Sequence, residues 1–345
     1  MKKTVLFLAI FLLVSYVCFA INPYKTTNPE LKAETKENNV LIFAVFAESE
    51  EQLYHTLLLA ESIRTFAGKF RDAPVWIYAP ESLLDKEQEI ADKFTALNAE
   101  VKNSTAPEEA LEFYFARKVF AAAKAETEAE GKTEFLVWMD DDTIVIKEPL
   151  AFVLDQGVSL GYRPVMHQLI SSLYDEPVNE FWSRVYEKLS VPESAIFPMI
   201  TPADQKKIRP YFNSGLLAVR PERGILRKWA EDFPLLYQDA VFVEMSKQDR
   251  LIRIFLHQVA LVGAILNLLK QEEMTQFSLQ YNFPLFFKQM FGAVREFDSL
   301  DDVVTFRYEF FFRDPDPNWS EKIKGPKEVI DWLKVHMTKK ITAKE

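Results

Sequence analysis

Phe135-Leu-Val-Trp-Met-Asp-Asp-Asp-Thr-Ile-Val-Ile-Lys-Glu-Pro149 reads as a strand that runs into three consecutive acids. Five uninterrupted apolar residues, Phe135 to Met139, have the pattern of a strand covered on both faces. Three adjacent carboxylates behind it repel one another and are costly together unless they are solvated or neutralised by a cation. Alternate residues of an extended segment face the same way. Asp140 and Asp142 can therefore converge on one ion while Asp141 turns toward a backbone or basic partner. Oxygen-only ligation of this kind suits Mg²⁺ or Mn²⁺. A solvated acidic loop is the plain alternative, and the buried-type strand in front favours the metal.

Upstream, the signals alternate. Val40-Leu-Ile-Phe-Ala-Val-Phe46 and Pro74-Val-Trp-Ile-Tyr-Ala79 repeat the strand pattern, and 50–66 places Leu53, Leu57, Leu58 and Ile63 at helical spacing. Two further stretches, 84–97 and 108–129, look helical. Strands alternating with helices predict an α/β fold with a parallel, helix-covered sheet. Ligands of such sheets sit beyond the carboxyl ends of the strands, where the acids fall.

The rest of the 345 residues sets bounds. With 48% hydrophobic and 27% charged residues, 9 Gly and 18 Pro, the chain is neither collagen-like nor disordered, and it is long enough to bury a core without metal or disulfide staples. Its 41 basic against 51 acidic residues, a net charge of −10, argue against a broad nucleic-acid face. Residues 1–20 carry Lys2, Lys3, an apolar run from Val5 and a small Ala20, as a secretory signal peptide or a short membrane anchor would; left uncleaved, 5–21 would be the membrane attachment. Residues 21–38, with two Asn-Pro steps, read as a linker. The catalytic domain is expected over 39–320, with a helical extension over 321–345. Cys18 is the only cysteine, so intrachain disulfides are excluded, and a chain cleaved after Ala20 could have neither a Cys zinc site nor a Cys nucleophile.

The quoted stretch resembles the strand, D-x-D and following hydrophobic-x-x-Pro of nucleotide-sugar glycosyltransferases of the GT-A fold, particularly the glycogenin-like and lipopolysaccharide galactosyltransferase-like group. Tyr211-Phe-Asn-Ser-Gly-Leu-Leu-Ala-Val219, then His257-Gln-Val-Ala-Leu261 as the start of a helix, and Gln280-Tyr-Asn-Phe283 are similar, in order, to that group's later motifs, and 113–125 with Lys118 resembles the helix before the metal strand. The resemblance implies a GT-A-like, Rossmann-like mixed sheet, mostly parallel and flanked by helices. It implies Mn²⁺ or Mg²⁺ on Asp140 and Asp142 against the diphosphate of a nucleoside-diphosphate sugar, and Lys118 and Asp141 facing the donor. Asn213 and Gly215 would line the sugar and acceptor pocket, and Gln258 would bind the donor sugar, which makes Asn213 and Gln258 the catalytic candidates. The function implied is sugar transfer to a glycan or protein acceptor, with retention of anomeric configuration.

Two positions depart from that pattern. Arg307, in Val303-Val-Thr-Phe-Arg-Tyr308, stands where the group supplies a third metal ligand from His, and an arginine cannot ligate a cation; contact with the diphosphate is its alternative role. His257 replaces the acid usually found before the helix Gln; a lone His at a helix start is ordinarily a surface or cap residue, and a substitute metal ligand is the alternative. His55, His167 and His336 show no ligand spacing. These departures keep open a catalytically silent glycan-binding protein, and D-x-D after a strand keeps open a metal-dependent phosphatase. The N-terminal run sends the chain to a secretory lumen, a periplasm or the outer membrane face. Fractionation of producing cells with mass spectrometry of the N-terminus should find the chain outside the cytoplasm, starting near Ile21 or held in the membrane with its start intact. A cytoplasmic chain that keeps Met1 contradicts the export reading.

Overall fold

The apolar run at Val40 becomes β1 (Asn39–Phe46), with Leu41, Phe43 and Val45 buried on one face and Ile42, Ala44 and Phe46 on the other. The computed structural model describes residues 39–84, 88–285, 299–309 and 319–341; the signal or anchor (1–20) and the linker (21–38) lie outside them. After β1 come α1 (Glu50–Phe66), β2 (Val75–Ala79), α2 (Glu81–Leu84), α3 (Gln88–Ala96), β3 (Ala99–Asn103), α4 (Ala116–Ala129), β4 (Thr133–Met139), β5 (Thr143–Val145) and β6 (Leu160–Pro164). The middle holds α5 (Glu180–Lys188), the short β7 (Met199–Ile200) and β8 (Lys207–Ile208), and β9 (Phe212–Val219). The last part holds α6 (Ile225–Tyr237), α7 (Ala240–Gln248), α8 (Arg250–Leu268), β10 (Met274–Gln276), β11 (Phe283–Pro284), β12 (Thr305–Arg307), α9 (Trp319–Lys322) and α10 (Lys327–Ile341).

Seven strands form the central sheet in the order β10-β6-β9-β4-β1-β2-β3. β4, β1, β2 and β3 run parallel, β10 pairs parallel with β6, and β9 is antiparallel to both of its neighbours. The sheet is thus mixed and mostly parallel. Helices cover both faces, as continuous apolar strands require. Residues of α4, α6 and α8 pack on the face of Leu136 and Trp138, and α1 packs on the face of Phe135, Val137 and Met139. A second sheet, β11-β12-β5, closes over the end of β4, and Val329 and Leu333 of α10 are buried in the cluster that holds Phe306 and Ile144.

Two boundaries differ from the sequence reading. The expected helix over 108–129 is a 3₁₀ turn (Glu108–Glu112) followed by α4, because Phe115 takes a left-handed backbone (φ 62°) that no helix can continue through. Of the expected helix over 84–97, Gln88–Ala96 is α3, and residues 85–87 lie outside the described residues. His257 and Gln258 do not start a helix: α8 begins two turns earlier, where the Asp249 side chain caps the Leu251 N–H at 2.8 Å, so both residues lie buried in its middle. Length and a mean hydropathy of 1.8 would let α8 cross a membrane, and its burial identifies it as a core helix.

α4 and α6 are joined by a buried carboxylate. Gly224 precedes α6 with no side chain to cap it, and Glu126 of α4 reaches across to accept the Arg227 N–H at 2.8 Å in that helix's first turn. Burial pushes the Glu126 carboxyl up to about 7, although these N–H groups and the Arg227 guanidinium pull it down. The folded state thus holds this proton more tightly than the unfolded chain, and its contribution to stability is complete below about 4.5 and lost as pH rises through about 7. Glu126→Gln, which keeps an acceptor for the helix, should remove that part of the pH dependence. In urea unfolding across pH 4.5–7 the wild type should lose stability relative to Glu126→Gln by up to about 1.4 kcal/mol per pH unit. Parallel pH curves would contradict the assignment.

Candidate active site

Two strand pairings assemble the site. β9 runs against β4, so its first residues lie beside the last residues of β4: Leu216 pairs with Met139, and the Asp140 N–H donates to the Gly215 carbonyl at 3.0 Å. This sets Asn213, Ser214 and Gly215 against the acids. β12 runs against β5, with Arg307 opposite Thr143, and the Tyr308 N–H donates to the Asp142 carbonyl at 3.1 Å. That register carries Arg307 to Asp142 across 165 residues of sequence. The first turn of α4 adds Lys118, and the middle of α8 adds His257 and Gln258.

All three carboxylates have basic partners. The Arg307 guanidinium grips Asp142 with both prongs, Nε to Oδ1 at 2.8 Å and Nη2 to Oδ2 at 3.0 Å, and Nη2 lies 3.3 Å from Asp140 Oδ2. The Glu309 N–H also donates to Asp142 Oδ2 at 3.0 Å. Lys118 Nζ donates to Asp140 Oδ1 and lies 3.4 Å from Ser214 Oγ. Asp141 points the other way, to His55 Nδ1 on α1 at 2.8 Å. Burial alone would raise Asp140, but Lys118 and Arg307 hold it down at about 2. Asp141 has no such pair of fixed cations; burial pushes it up to about 6 against the pull of His55, with Asp142 and Asp140 adding to the rise. Arg307 moves above the ordinary arginine range, since Asp142 and Asp140 outweigh its burial.

His257 has a fixed tautomer. Its Nδ1 lies 2.9 Å from the Ile254 carbonyl and must donate, which leaves Nε2 to accept from the Ser214 hydroxyl at 3.2 Å. Burial, helped by the Lys118 charge, lowers the imidazole to about 3, so it is neutral at physiological pH. Gln258 Oε1 accepts the Ser214 N–H at 3.4 Å. Asn213 Oδ1 accepts the Gly215 N–H at 2.8 Å and Asn282 Nδ2 at 3.2 Å. These groups line one cavity of about 480 Å³, with the exposed ring of Phe115 tilted at 47° against His257 (centroids 4.8 Å apart) on its wall.

Every candidate named from sequence thus reaches one cavity: Lys118, Asp140, Asp141 and Asp142, then Asn213, Gly215, Gln258 and Arg307. His167 lines it as well. The expected cation does not fit the donor set. Among the described residues no group of three or more His, Cys, Asp or Glu could hold a metal ion. Asp142 already accepts three N–H bonds, Asp140 is shared between Lys118 and Arg307, Asp141 is turned to His55, and His257 spends Nε2 on Ser214. His257 is therefore neither the surface or cap residue expected from sequence nor a free ligand, but a buried, neutral partner of Ser214 in mid-helix. Sequence reasoning missed His55, Ser214 and Asn282. Asn282 lay in a motif that had been singled out, whereas nothing in the spacing ties His55 to an acid 86 residues away.

The model of the Rhodobacterales glycosyltransferase domain family matches residues 42–268. Among solved structures the chain is similar to the galactosyltransferase LgtC in complex with donor and acceptor sugar analogs (15% identity, 86% of this chain and 94% of that one, TM-score 0.46). It is also similar to mouse xyloside xylosyltransferase 1 in apo form (10%, 77% and 97%, TM-score 0.44) and to the bifunctional glycosyltransferase WbbM in apo form (12%, 92% and 51%, TM-score 0.49). No curated protein matches the chain.

Gly215 is where the two halves of the site touch. A Cβ built there would lie 2.3 Å from Asp140 Oδ2 and 3.0 Å from Asn213 Oδ1, so any side chain must turn the Asp140 carboxylate away from its cations. Gly215→Ala should cost about 1–3 kcal/mol in urea unfolding. A double-mutant cycle with Asp140→Ala, which removes the clashing oxygen, should show coupling of about 0.5 kcal/mol or more. Additive effects would contradict the close approach.

Proposed function

We propose a donor and a reaction for this chain, which belongs to the Rhodobacterales glycosyltransferase domain family: it is a GT-A-type enzyme that moves a sugar from a nucleoside-diphosphate sugar to a glycan or protein acceptor. The observation that carries the reading is the convergence of Lys118, Asp140, Asn213, Gln258 and Arg307, from five separate parts of the fold, on one cavity at the carboxyl end of parallel strands. In the transfer the bond from the anomeric carbon to the diphosphate oxygen breaks, and its electron pair leaves with the nucleoside diphosphate. A bond from that carbon to the acceptor oxygen forms, and the acceptor hydroxyl loses its proton. Charge grows on the leaving oxygen, and fixed cationic donors beside it lower the barrier. Lys118 and Arg307 are the lysine and arginine on the cavity wall. The amides of Asn213 and Gln258 are of the kind that hold sugar hydroxyls, and the Phe115 ring offers a face to a pyranose. Retention of configuration is the outcome that the resemblance implies.

The Mg²⁺ or Mn²⁺ expected on Asp140 and Asp142 is left out of this reading, because its ligands are engaged elsewhere. An exported site of action belongs to the reading and rests on the sequence of residues 1–20. Incubation with a panel of nucleoside-diphosphate sugars and glycan acceptors, followed by mass spectrometry of glycan and released nucleotide, should find a glycosylated product. Lys118→Ala should lower its formation by about 10²–10³-fold. Release of phosphate from simple esters with no sugar transfer would favour the phosphatase, glycan binding without turnover of any donor would favour the silent protein, and either result contradicts the proposal.

A further inference from the structure

We propose that Arg307 stands in the place of a divalent metal ion, and that its guanidinium and the Lys118 ammonium receive the donor's diphosphate without one. The nature of the anion rests on the nucleotide-sugar reading above; the statement about the cation rests on the acid cluster itself.

The charge count is the first ground. Lys118 contacts Asp140, and Arg307 contacts Asp140, Asp142 and, from Nη2 at 3.5 Å, Glu309, so two cations face three carboxylates. The single negative charge left over is half of what a divalent ion carries, so such an ion would leave this group net positive. An ion arriving at Asp142 would have to displace a bidentate guanidinium and leave it buried beside added positive charge, the costly way to break a buried pair. Geometry is the second ground. Arg307 bridges the two carboxylates that a D-x-D cation would bridge, and its backbone is fixed there by the β5–β12 register and by two N–H bonds to Asp142, from Tyr308 to the carbonyl and from Glu309 to the carboxylate. Among the described residues its Nη1 makes no hydrogen bond, while the side chain lines the cavity, so a donor remains for an incoming phosphate oxygen. The third ground comes from a different element. His257 is neutral and adds no negative charge beside Lys118, so the ammonium is drawn to Asp140 and completes the pairing. Both departures noted in the sequence, Arg307 and His257, shift the site toward fixed cations and away from metal ligation.

The test uses the full chain and two probes, Mn²⁺ alone and inorganic pyrophosphate, the group common to all nucleoside diphosphates. Electron paramagnetic resonance of free Mn²⁺ should show no stoichiometric binding to the wild type with a Kd below about 1 mM. Calorimetry in excess chelator should show pyrophosphate binding, at least about tenfold weaker in Arg307→Gln. Stoichiometric Mn²⁺ binding overturns the inference, and because that measurement uses no variant, the outcome does not depend on whether Arg307→Gln folds. Pyrophosphate that binds only once Mn²⁺ is added overturns the inference and leaves the nucleotide-sugar reading standing. Pyrophosphate that binds under neither condition overturns both.

Discussion

A buried strand that ends in three carboxylates has to be neutralised, and Arg307, which grips Asp142 with both prongs and reaches Asp140, pairs with two of them. Much of the surrounding structure serves it. Asp142 belongs to the link between the central sheet and the small second sheet, and Arg307 lies on the strand that pairs with that link, so the pair also fastens one sheet to the other. A buried pair of this kind adds little net stability over a well-packed apolar contact, but losing one partner costs roughly 3–5 kcal/mol, since the other charge is left uncompensated. It therefore fixes the arrangement more than it strengthens the fold.

The same economy of position explains the reversed strand. Parallel strands from β1 to β4 deliver their carboxyl ends to one edge of the sheet, and only a strand running the other way can bring its amino end, Asn213-Ser214-Gly215, to that edge. Gly215 allows the contact because a side chain there would occupy the space of the Asp140 carboxylate. Behind this layer, α8 presents His257 and Gln258 from a continuous buried helix, whose rigidity holds Ser214 between Lys118 and the imidazole. The site is thus built on strands, helices and their register, not on long loops.

Local pattern reveals some of this and long-range pairing the rest. The apolar run before Asp140, the helix at 50–66 and the alternation of strands and helices are local facts, and the described elements follow them closely. Asp140, Lys118, Asn213 and Gln258 were legible because each sits in a short motif whose order along the chain is informative. What Arg307 does was not, since its partner is set by a three-residue ladder to β5. His55 and Asp141 are likewise joined only through tertiary packing. The misplaced start of α8 has a different origin. Asp249 was visible as a cap, but the reading began from the His257-Gln258 motif and not from the capping residue. The left-handed Phe115 has no sequence signature at all, because large side chains seldom adopt that backbone.

The account stands on Arg307 remaining between Asp140 and Asp142 when the site is filled. Anomalous diffraction at the manganese edge, from crystals grown with both Mn²⁺ and a nucleoside diphosphate, observes this directly. The account predicts no manganese peak at the acid cluster, with the guanidinium still bridging the two carboxylates and a phosphate oxygen on its free nitrogen. A manganese peak within bonding distance of Asp140 and Asp142, with Arg307 swung away, would contradict it.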